Sequence, residues 1–503
     1  MEMVSEILAS TVQKYPDNTA IIYENRYIGY KEVEKTANQY AHGLISLGIK
    51  EGEMVGLLTS NSPEFIYAYF GVLKTGATVV PMNPLLSGDE LFYMMNDSKI
   101  KVLFTLPSLL PVLQKITSRL ENLKHIITIG EVKPEFGISI SSLIQNKQNT
   151  PPKIKVHQDT TAVCIYTSGT TGYPKGALLT HRNLLSNVNS LVKVFPATSD
   201  DVFSCILPLF HAYSAMASML APFALGAGIV IDNKFIPRKC LQMIQDFRIT
   251  IFIGVPAIYA ALSRIKNPGE FDLNSLRFCV SGGAPLSPEI VTQFEKMYPA
   301  KIYEGDGPTE CSPVTSVNPI SGKRKLGSIG LPIPDVEMKI VDENDNELPP
   351  GEVGEIVVRG PNVMKGYLNQ PEATKESLRN GWFHTGDIGK MDEEGYFYIL
   401  DRKKDLIIVG GLNVYSQEIE KVLISHPKVS EAAVTGKPDR LRGEVPIAFV
   451  LPLEGENVEP QELISFCRNH LASYKVPREI KILESLPKTP TGKVMKWKLK
   501  SNS

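Results

Sequence analysis

The sequence has almost no charge imbalance: 53 Lys and Arg stand against 54 Asp and Glu over 503 residues, a formal net charge of −1. Nothing here supplies a bulk positive field for nucleic acid, so such a role would need a local patch. Cysteine is sparse. The six, Cys164, Cys205, Cys240, Cys279, Cys311 and Cys467, occur at no zinc-site or Cys-x-x-Cys spacing. That argues against a disulfide scaffold or a thiolate metal centre and favours a reduced, cytoplasmic setting. The stretch Met1 to Tyr15, with Glu2, Glu6 and Lys14 among scattered apolar residues, lacks the basic flank and apolar core of a secretion signal. No repeat at solenoid periods is found. At 43% hydrophobic and 21% charged residues, the composition excludes a disordered or collagen-like chain.

One stretch tests the non-membrane reading. Val202 to Ile231 holds no Asp, Glu, Lys or Arg and is long enough to cross a bilayer. Pro208, Pro222, Gly226 and Gly228 interrupt it, however, and Ser204, Ser214 and Ser218 dilute it. It reads as a buried strand–turn–helix–strand run in a large core, with no transmembrane span expected. Peripheral membrane association stays compatible with the sequence, and monomer and homodimer are both left open.

The first 400 residues or so alternate strand and helix patterns. Lys31 to Leu47 repeats apolar residues at helical spacing, Met54 to Leu58 is a short apolar strand, Pro63 to Lys74 a helix, and Gly76 to Pro81 a strand again. Ala162 to Tyr166, Ile229 to Ile231 and Ile251 to Ile253 are further buried strands. This rhythm predicts parallel sheets with helices on both faces. After Ser312, short strands (Val336 to Val341, Glu355 to Arg359, Tyr396 to Leu400) separated by turn-rich stretches such as Asp342 to Asn346 suit an antiparallel, barrel-like subdomain. The charged segment Asp401-Arg-Lys-Lys-Asp405 reads as a domain boundary or simply as a solvated linker. Beyond it the pattern is a glycine turn at Gly410-Gly411, helix 417–425, strands 429–435 and 447–451, helix 460–471 and strand 479–483. The expected architecture is α/β. A large N-terminal domain, residues 1–401, holds two doubly wound sheet subdomains and the barrel-like one; a small α+β domain spans 402–503.

The most informative string is Tyr166-Thr-Ser-Gly-Thr-Thr-Gly-Tyr-Pro-Lys-Gly176, directly after a buried strand. Glycines let the backbone approach a polyphosphate, hydroxyls and amides donate to its oxygens, and a lysine neutralises charge. It is not a Walker loop, because Pro174 stands where that pattern needs glycine before the lysine.

This string resembles the phosphate loop of the adenylate-forming superfamily, which includes acyl-CoA synthetases, 4-coumarate–CoA ligases, luciferases and peptide-synthetase adenylation domains. The resemblance runs along nearly the whole chain, in family order: Leu73-Lys-Thr-Gly-Ala77, Pro208-Leu-Phe-His211, Ser281-Gly-Gly-Ala-Pro-Leu286, Gly354-Glu-Ile-Val-Val-Arg-Gly360, Trp382-Phe-His-Thr-Gly-Asp387, Asp401-Arg-Lys-Lys-Asp405 and Pro490-Thr-Gly-Lys493. It implies two steps. A carboxylate attacks the α-phosphate of Mg-ATP to give acyl-adenylate and pyrophosphate; after the C-terminal domain rotates, the thiol of coenzyme A displaces AMP. Positioning and electrostatics carry such chemistry.

Residue by residue, the resemblance implies Thr167 and Glu310 as Mg²⁺ contacts, a hydroxyl and a carboxylate suited to a hard octahedral ion. Ser168, Gly169, Thr170, Thr171, Gly172 and Lys175 would hold the β- and γ-phosphates. Gly283 and Ala284 line adenine, and Thr309 meets the α-phosphate. Glu304, Gly305 and Asp306 belong to the same nucleotide-side strip. Asp387 takes the ribose hydroxyls, with Arg402 beside it. His211 lies near the substrate carboxylate. Lys493 is the catalytic lysine of adenylation, Lys404 the hinge, and Gly410 and Gly411 the loop offered to coenzyme A.

The pattern is broken at Asp306, where the family usually stacks an aromatic ring on adenine; Pro308 replaces a common leucine, Ser416 a proline and Ile408 a frequent lysine. With Thr167, Lys175, Glu310, Asp387, Arg402 and Lys493 retained, these changes read as tuning. The uncharged run and Gly283 suggest an apolar acyl pocket. The expected function is AMP-forming ligation of coenzyme A to a medium- or long-chain fatty acid. An aryl-CoA ligase for coumarate- or benzoate-like acids and a non-catalytic adenylate-binding protein are the alternatives.

Overall fold

The computed structural model describes residues 1–130, 136–167, 174–488 and 494–500. The architecture is mixed α/β, and the chain divides into two compact units. The larger comprises Met1–Leu326, Gly330–Met338 and Val358–Phe383; the smaller comprises Gly327–Ile329, Lys339–Val357 and His384–Ser503.

The larger unit is built on two sheets. In the nine-stranded sheet, six neighbouring strands run parallel, in the order Thr19–Tyr23, Gly228–Ile231, Val202–Cys205, Ile251–Gly254, Phe278–Ser281 and Lys301–Asp306, with antiparallel strands at both edges. In the eight-stranded sheet, Thr161–Thr167, Thr78–Pro81, Met54–Leu58, Val102–Thr105, His125–Thr128 and Ile138–Ser139 run parallel. Lys175–Thr180 folds back antiparallel on Thr161–Thr167, and Gly366–Tyr367 continues that edge. Helices between the strands supply the crossovers that parallel pairing demands.

Local signals explain individual elements. Helix Pro63–Lys74 starts where Ser62 accepts the Phe65 N–H at 3.3 Å and Pro63 supplies a preset φ at the first turn. It packs on helix Tyr30–Ser46 so closely that a Cβ on Gly71 would lie 2.6 Å from Tyr40 Cβ. Glycine is needed there for the approach of the two backbones. The uncharged run becomes strand Val202–Cys205, helix Ala212–Ala215, a wide π-type turn Met216–Leu220, helix Ala221–Leu225 and strand Gly228–Ile231. Met216, Met219, Leu220 and Phe223 are buried in the core. Its lack of charge thus reflects enclosure by protein. No helix among the described residues is long and apolar enough to cross a membrane.

The smaller unit contains most of a four-stranded sheet, Glu337–Val341, Val353–Arg359, Phe383–Met391 and Phe397–Arg402. It also holds a five-stranded sheet made by Leu412–Val414, Ile407–Val409, Gly443–Pro452 and Val429–Asp439, with Glu479–Ile482 alongside Gly443–Pro452. Helices Ser416–Ile424 and Pro460–His470 bring Ile419, Leu423, Leu463 and Cys467 into one core with Val434 and Val450. The single turn Lys403–Asp405 joins the two sheets in sequence. The charged segment Asp401 to Asp405 is no uniformly solvated linker, because Asp401 is wholly buried. Its carboxylate accepts the N–H and, at 3.0 Å, the hydroxyl of Ser416 at the start of helix Ser416–Ile424.

Candidate active site

Strand Thr161–Thr167 ends on Thr167, and the return strand begins at Lys175, so the two face each other at the loop end of the hairpin. Glu310 lies on the single turn Thr309–Cys311, pinned by Met364 N–H on its carbonyl at 2.7 Å and by Asn362 Nδ2 on the Cys311 carbonyl at 2.9 Å. Its carboxylate is about nine-tenths buried, and Oε1 accepts from Thr167 Oγ1 at 3.2 Å and Tyr367 Oη at 2.9 Å. Lys175 Nζ stands 5.2 Å from the centroid of the Tyr367 ring. Burial, then the neighbouring carboxylate, pushes the Tyr367 phenol well up, so it stays a fixed donor. Among the described residues no group of three or more His, Cys, Asp or Glu is placed to hold a metal. One carboxylate and one hydroxyl suit a cation such as Mg²⁺ that takes its other ligands from phosphate and water. Ser168, Gly169, Thr170, Thr171 and Gly172 lie outside the described residues.

The neighbouring nucleotide-side strip forms where parallel strands Phe278–Ser281 and Lys301–Asp306 end, the usual crevice for ligands in such sheets. Glu304 is buried and accepts the Leu286 N–H at 3.0 Å, bracing the turn that carries Gly283 and Ala284. Gly283 has φ +81°, a left-handed conformation, and a Cβ there would meet only Val255 Cγ1 at 4.0 Å. Gly305 lies close against the next strand, a Cβ there falling 2.9 Å from the Ser316 carbonyl. The Asp306 backbone carbonyl accepts from Thr315 N–H at 2.9 Å and Thr315 Oγ1 at 3.1 Å, which fixes the main chain at that position. Thr309 is half-buried beside Glu310.

His211 opens helix Ala212–Ala215 and lies against Phe210, ring centroids 4.7 Å apart. Its Nε2 is sealed from solvent with no hydrogen-bond partner among the described residues, and burial pulls its pKa down to about 4. At neutral pH it is therefore an uncharged imidazole with an unused ring nitrogen. Two residues on, the Tyr213 hydroxyl donates to the Val280 carbonyl at 3.2 Å, and the Tyr213 ring packs near Gly282. Those contacts bring the His211 helix alongside the Gly283 turn.

In the smaller unit, Asp387 and Arg402 are cross-strand partners, and Arg402 Nε meets Asp387 Oδ1 at 2.7 Å. Buried Glu355 accepts the Gly386 N–H at 3.1 Å on one oxygen and pairs with Lys403 Nζ at 3.1 Å on the other. It thus ties the turn before Asp387 to the residue before Lys404. Gly410 and Gly411 form a two-residue hairpin turn with φ +57° and +81°, and nothing crowds the tip. Lys493 lies outside the described residues. Close to it in sequence, Lys496 Nζ reaches Glu420 at 2.7 Å and Ser416 Oγ at 2.6 Å.

Comparison with known proteins settles the family. A match to AMP-binding enzymes covers residues 8–368, and one to the AMP-binding enzyme C-terminal domain covers residues 418–493. The chain belongs to the AMP-binding, adenylate-forming enzymes. A long-chain-fatty-acid–CoA ligase of Bacillus subtilis (strain 168) is 38% identical, the alignment covering 99% of this chain and 94% of that protein. A 4-coumarate–CoA ligase of Humulus lupulus is 36% identical over 93% of this chain and 88% of its own. Among solved structures, an anthranilate CoA ligase in complex with anthranoyl-AMP superposes with TM-score 0.94 at 31% identity, covering 99% of this chain and 97% of that one. ATP-bound MatB from Rhodopseudomonas palustris superposes at 0.91 with 31% identity, covering 99% and 98%.

Within this adenylate-forming chain, sequence reading missed Tyr367, Glu355 and Lys496. Tyr367 belongs to none of the motifs the sequence offers. Its partner Glu310 lies 57 residues away, too far for any local pattern to announce. Lys496 is one of several lysines near the end of the sequence, and its pairing with partly buried Glu420, far earlier in the chain, is a tertiary contact that no local pattern announces.

Proposed function

We propose that this chain is an AMP-forming carboxylate–CoA ligase, producing an acyl-adenylate and then an acyl-CoA thioester, with a medium- or long-chain fatty acid as the carboxylate. The observation that carries the reading is the convergence of Thr167, Glu310, Tyr367 and Lys175 at the loop end of one hairpin. Mg²⁺ held by Thr167 and Glu310 would neutralise part of the polyphosphate charge. Lys175 and the loop before it bind the β- and γ-phosphates, and Thr309 donates at the α-phosphate. Gly283 and Ala284 leave room for adenine, with Asp306 at its edge. Asp387, oriented by Arg402, accepts from the ribose hydroxyls.

Neutral His211 donates through its unused Nε2 to the substrate carboxylate. Lys493 bridges carboxylate and phosphate in the first step; Lys404 is the hinge and Gly410-Gly411 the coenzyme A loop of the second. Residues 402–503 are the mobile domain and 1–401 the nucleotide and acyl domain. The long-chain-fatty-acid relatives favour an alkyl acid, while the coumarate and anthranilate enzymes keep an aryl acid as the second reading. Six buried cysteines, none in a disulfide, support a reduced, cytoplasmic setting.

The test is AMP formation with ATP, Mg²⁺ and coenzyme A across a panel of alkyl and aryl acids. Turnover of medium- and long-chain fatty acids, with little on benzoates, is the expected result. A clear preference for aryl acids would move the assignment to the second reading, and no AMP with any acid would overturn it.

A further inference from the structure

Helix Gly88–Asp97 lies outside every motif discussed so far, yet it holds both ends of the phosphate loop. It starts at a capping box in which Ser87 and Glu90 satisfy each other's backbone N–H groups. Near its end, two side chains reach toward the loop. Asp97 Oδ2 accepts from the Tyr166 hydroxyl at 2.7 Å, and Tyr166 is the last residue before Thr167. The Tyr93 hydroxyl donates at 3.2 Å to the carbonyl of Pro174, the residue before Lys175. The two tyrosine rings meet edge to face with centroids 6.4 Å apart.

Asp97 also has a second function in the same network. Its Oδ1 and its main-chain carbonyl each accept from Asn369 Nδ2 at 3.0 Å. Asn369 follows Tyr367 and Leu368, and the Leu368 N–H donates to the Gly176 carbonyl at 2.8 Å. One carboxylate therefore ties together the strand entering the loop and the segment that braces Glu310 and Lys175. Gly176 closes the arrangement from below, since a Cβ there would lie 2.8 Å from Cys164 Sγ.

We propose that helix Gly88–Asp97 is a clamp on Tyr166 and Pro174, the two described flanks of the phosphate-binding string, with Tyr93 and Asp97 as positioning residues for the nucleotide's polyphosphate. Fixing Tyr166 and Pro174 relative to each other before ATP arrives lowers the ordering cost that binding must meet. Neither residue touches the nucleotide; each acts through the loop's flanks. The proposal rests on the reading of that loop as the ATP site, so its test needs one readout independent of activity.

That readout is amide hydrogen exchange, measured by mass spectrometry, in the peptide spanning Tyr166 to Gly176. Tyr93→Phe removes one hydroxyl and keeps the ring; Asp97→Asn removes the charge that accepts from Tyr166. Exchange in this peptide should rise about fivefold or more in either variant, with peptides of strand Met54–Leu58 unchanged. In pyrophosphate exchange the KM for ATP should rise about tenfold, the usual scale for losing a supporting partner. The KM for the acid, and conversion of pre-made acyl-adenylate plus coenzyme A to thioester, should stay at parental values. Unchanged exchange in the Tyr166–Gly176 peptide overturns the clamp, and so does an equal loss in both half-reactions. If Asp97→Asn does not fold, Tyr93→Phe alone decides by the same criteria. A parent enzyme without pyrophosphate exchange on any acid would sink the ATP reading, while the amide-exchange result would still decide the clamp.

Discussion

Tyr367→Phe removes a single oxygen from the centre of the proposed site, and its effect can be worked from the geometry. The phenol donates at 2.9 Å to Glu310 Oε1, which otherwise accepts only the longer bond from Thr167 at 3.2 Å among the contacts resolved for that atom. Glu310 is about nine-tenths buried, so water replaces the lost donor poorly. A hydrogen bond to a buried charged acceptor contributes about 1.5–3 kcal/mol. Part of that is recovered by relaxation, and about 1.5 kcal/mol of lost orientation corresponds to roughly tenfold at 1.4 kcal/mol per decade. The phenyl ring remains, so the Lys175 contact at 5.2 Å persists.

The expected result is a roughly tenfold fall in the rate of pyrophosphate exchange, with the Mg²⁺ concentration for half-maximal rate shifted upward. Thioester formation from pre-made acyl-adenylate should be unaffected, because it no longer needs the metal-side carboxylate. The assay is pyrophosphate exchange at a series of Mg²⁺ concentrations, paired with the isolated second half-reaction. An unchanged exchange rate and Mg²⁺ profile would refute the reasoning. An equal fall in both half-reactions would show that Tyr367 matters only for folding.

Further expectations concern other parts of the chain. Lys493→Ala should cost on the order of 10²–10³ in acyl-adenylate formation while sparing the second step; equal losses would remove it from the first. Lys404→Pro, which fixes φ and deletes a donor, should slow thioester formation more than adenylation if the domain turns there, and unaltered half-reaction rates would place the hinge elsewhere. Asp306→Tyr should tighten ATP binding by roughly one to two orders of magnitude through gained stacking and lost repulsion; weaker binding in both Asp306→Tyr and Asp306→Asn, seen by titration, would instead make the carboxylate a reader of adenine. His181 is fully buried, accepts the Val4 N–H at 3.1 Å, and has its pKa pulled down to about 4 by burial. The unfolded chain, titrating near 6.5, binds the proton first, so the stability is intact above that pH and is lost as pH falls toward 4. Between pH 7 and 5 the larger unit should lose roughly 2 kcal/mol to this group, read from urea transitions; His181→Gln should flatten that limb, and identical pH dependence in parent and variant would refute it.

Much of the fold was legible because its signals are local. Met54–Leu58 and Pro63–Lys74 match their expected limits: a short apolar run suits a buried strand, and Ser62 followed by Pro63 marks a helix start. The string Tyr166–Gly176 stands out in the sequence for the same reason, since glycines, hydroxyls and lysine follow one another within eleven residues. Tertiary structure alone decided what lies opposite. Thr167 ends a strand of the eight-stranded sheet, and Glu310, 143 residues away, follows a strand of the nine-stranded sheet; only the packing of two separate sheets brings such positions together. The same holds for charge. Asp401, one of five consecutive charged or basic-flanked residues, is fully buried on Ser416, while Lys404 three residues later is exposed. A sequence shows that a residue carries charge; whether burial and a partner turn that charge into a structural bond depends on segments distant in the chain, because desolvation and pairing are properties of the packed neighbourhood.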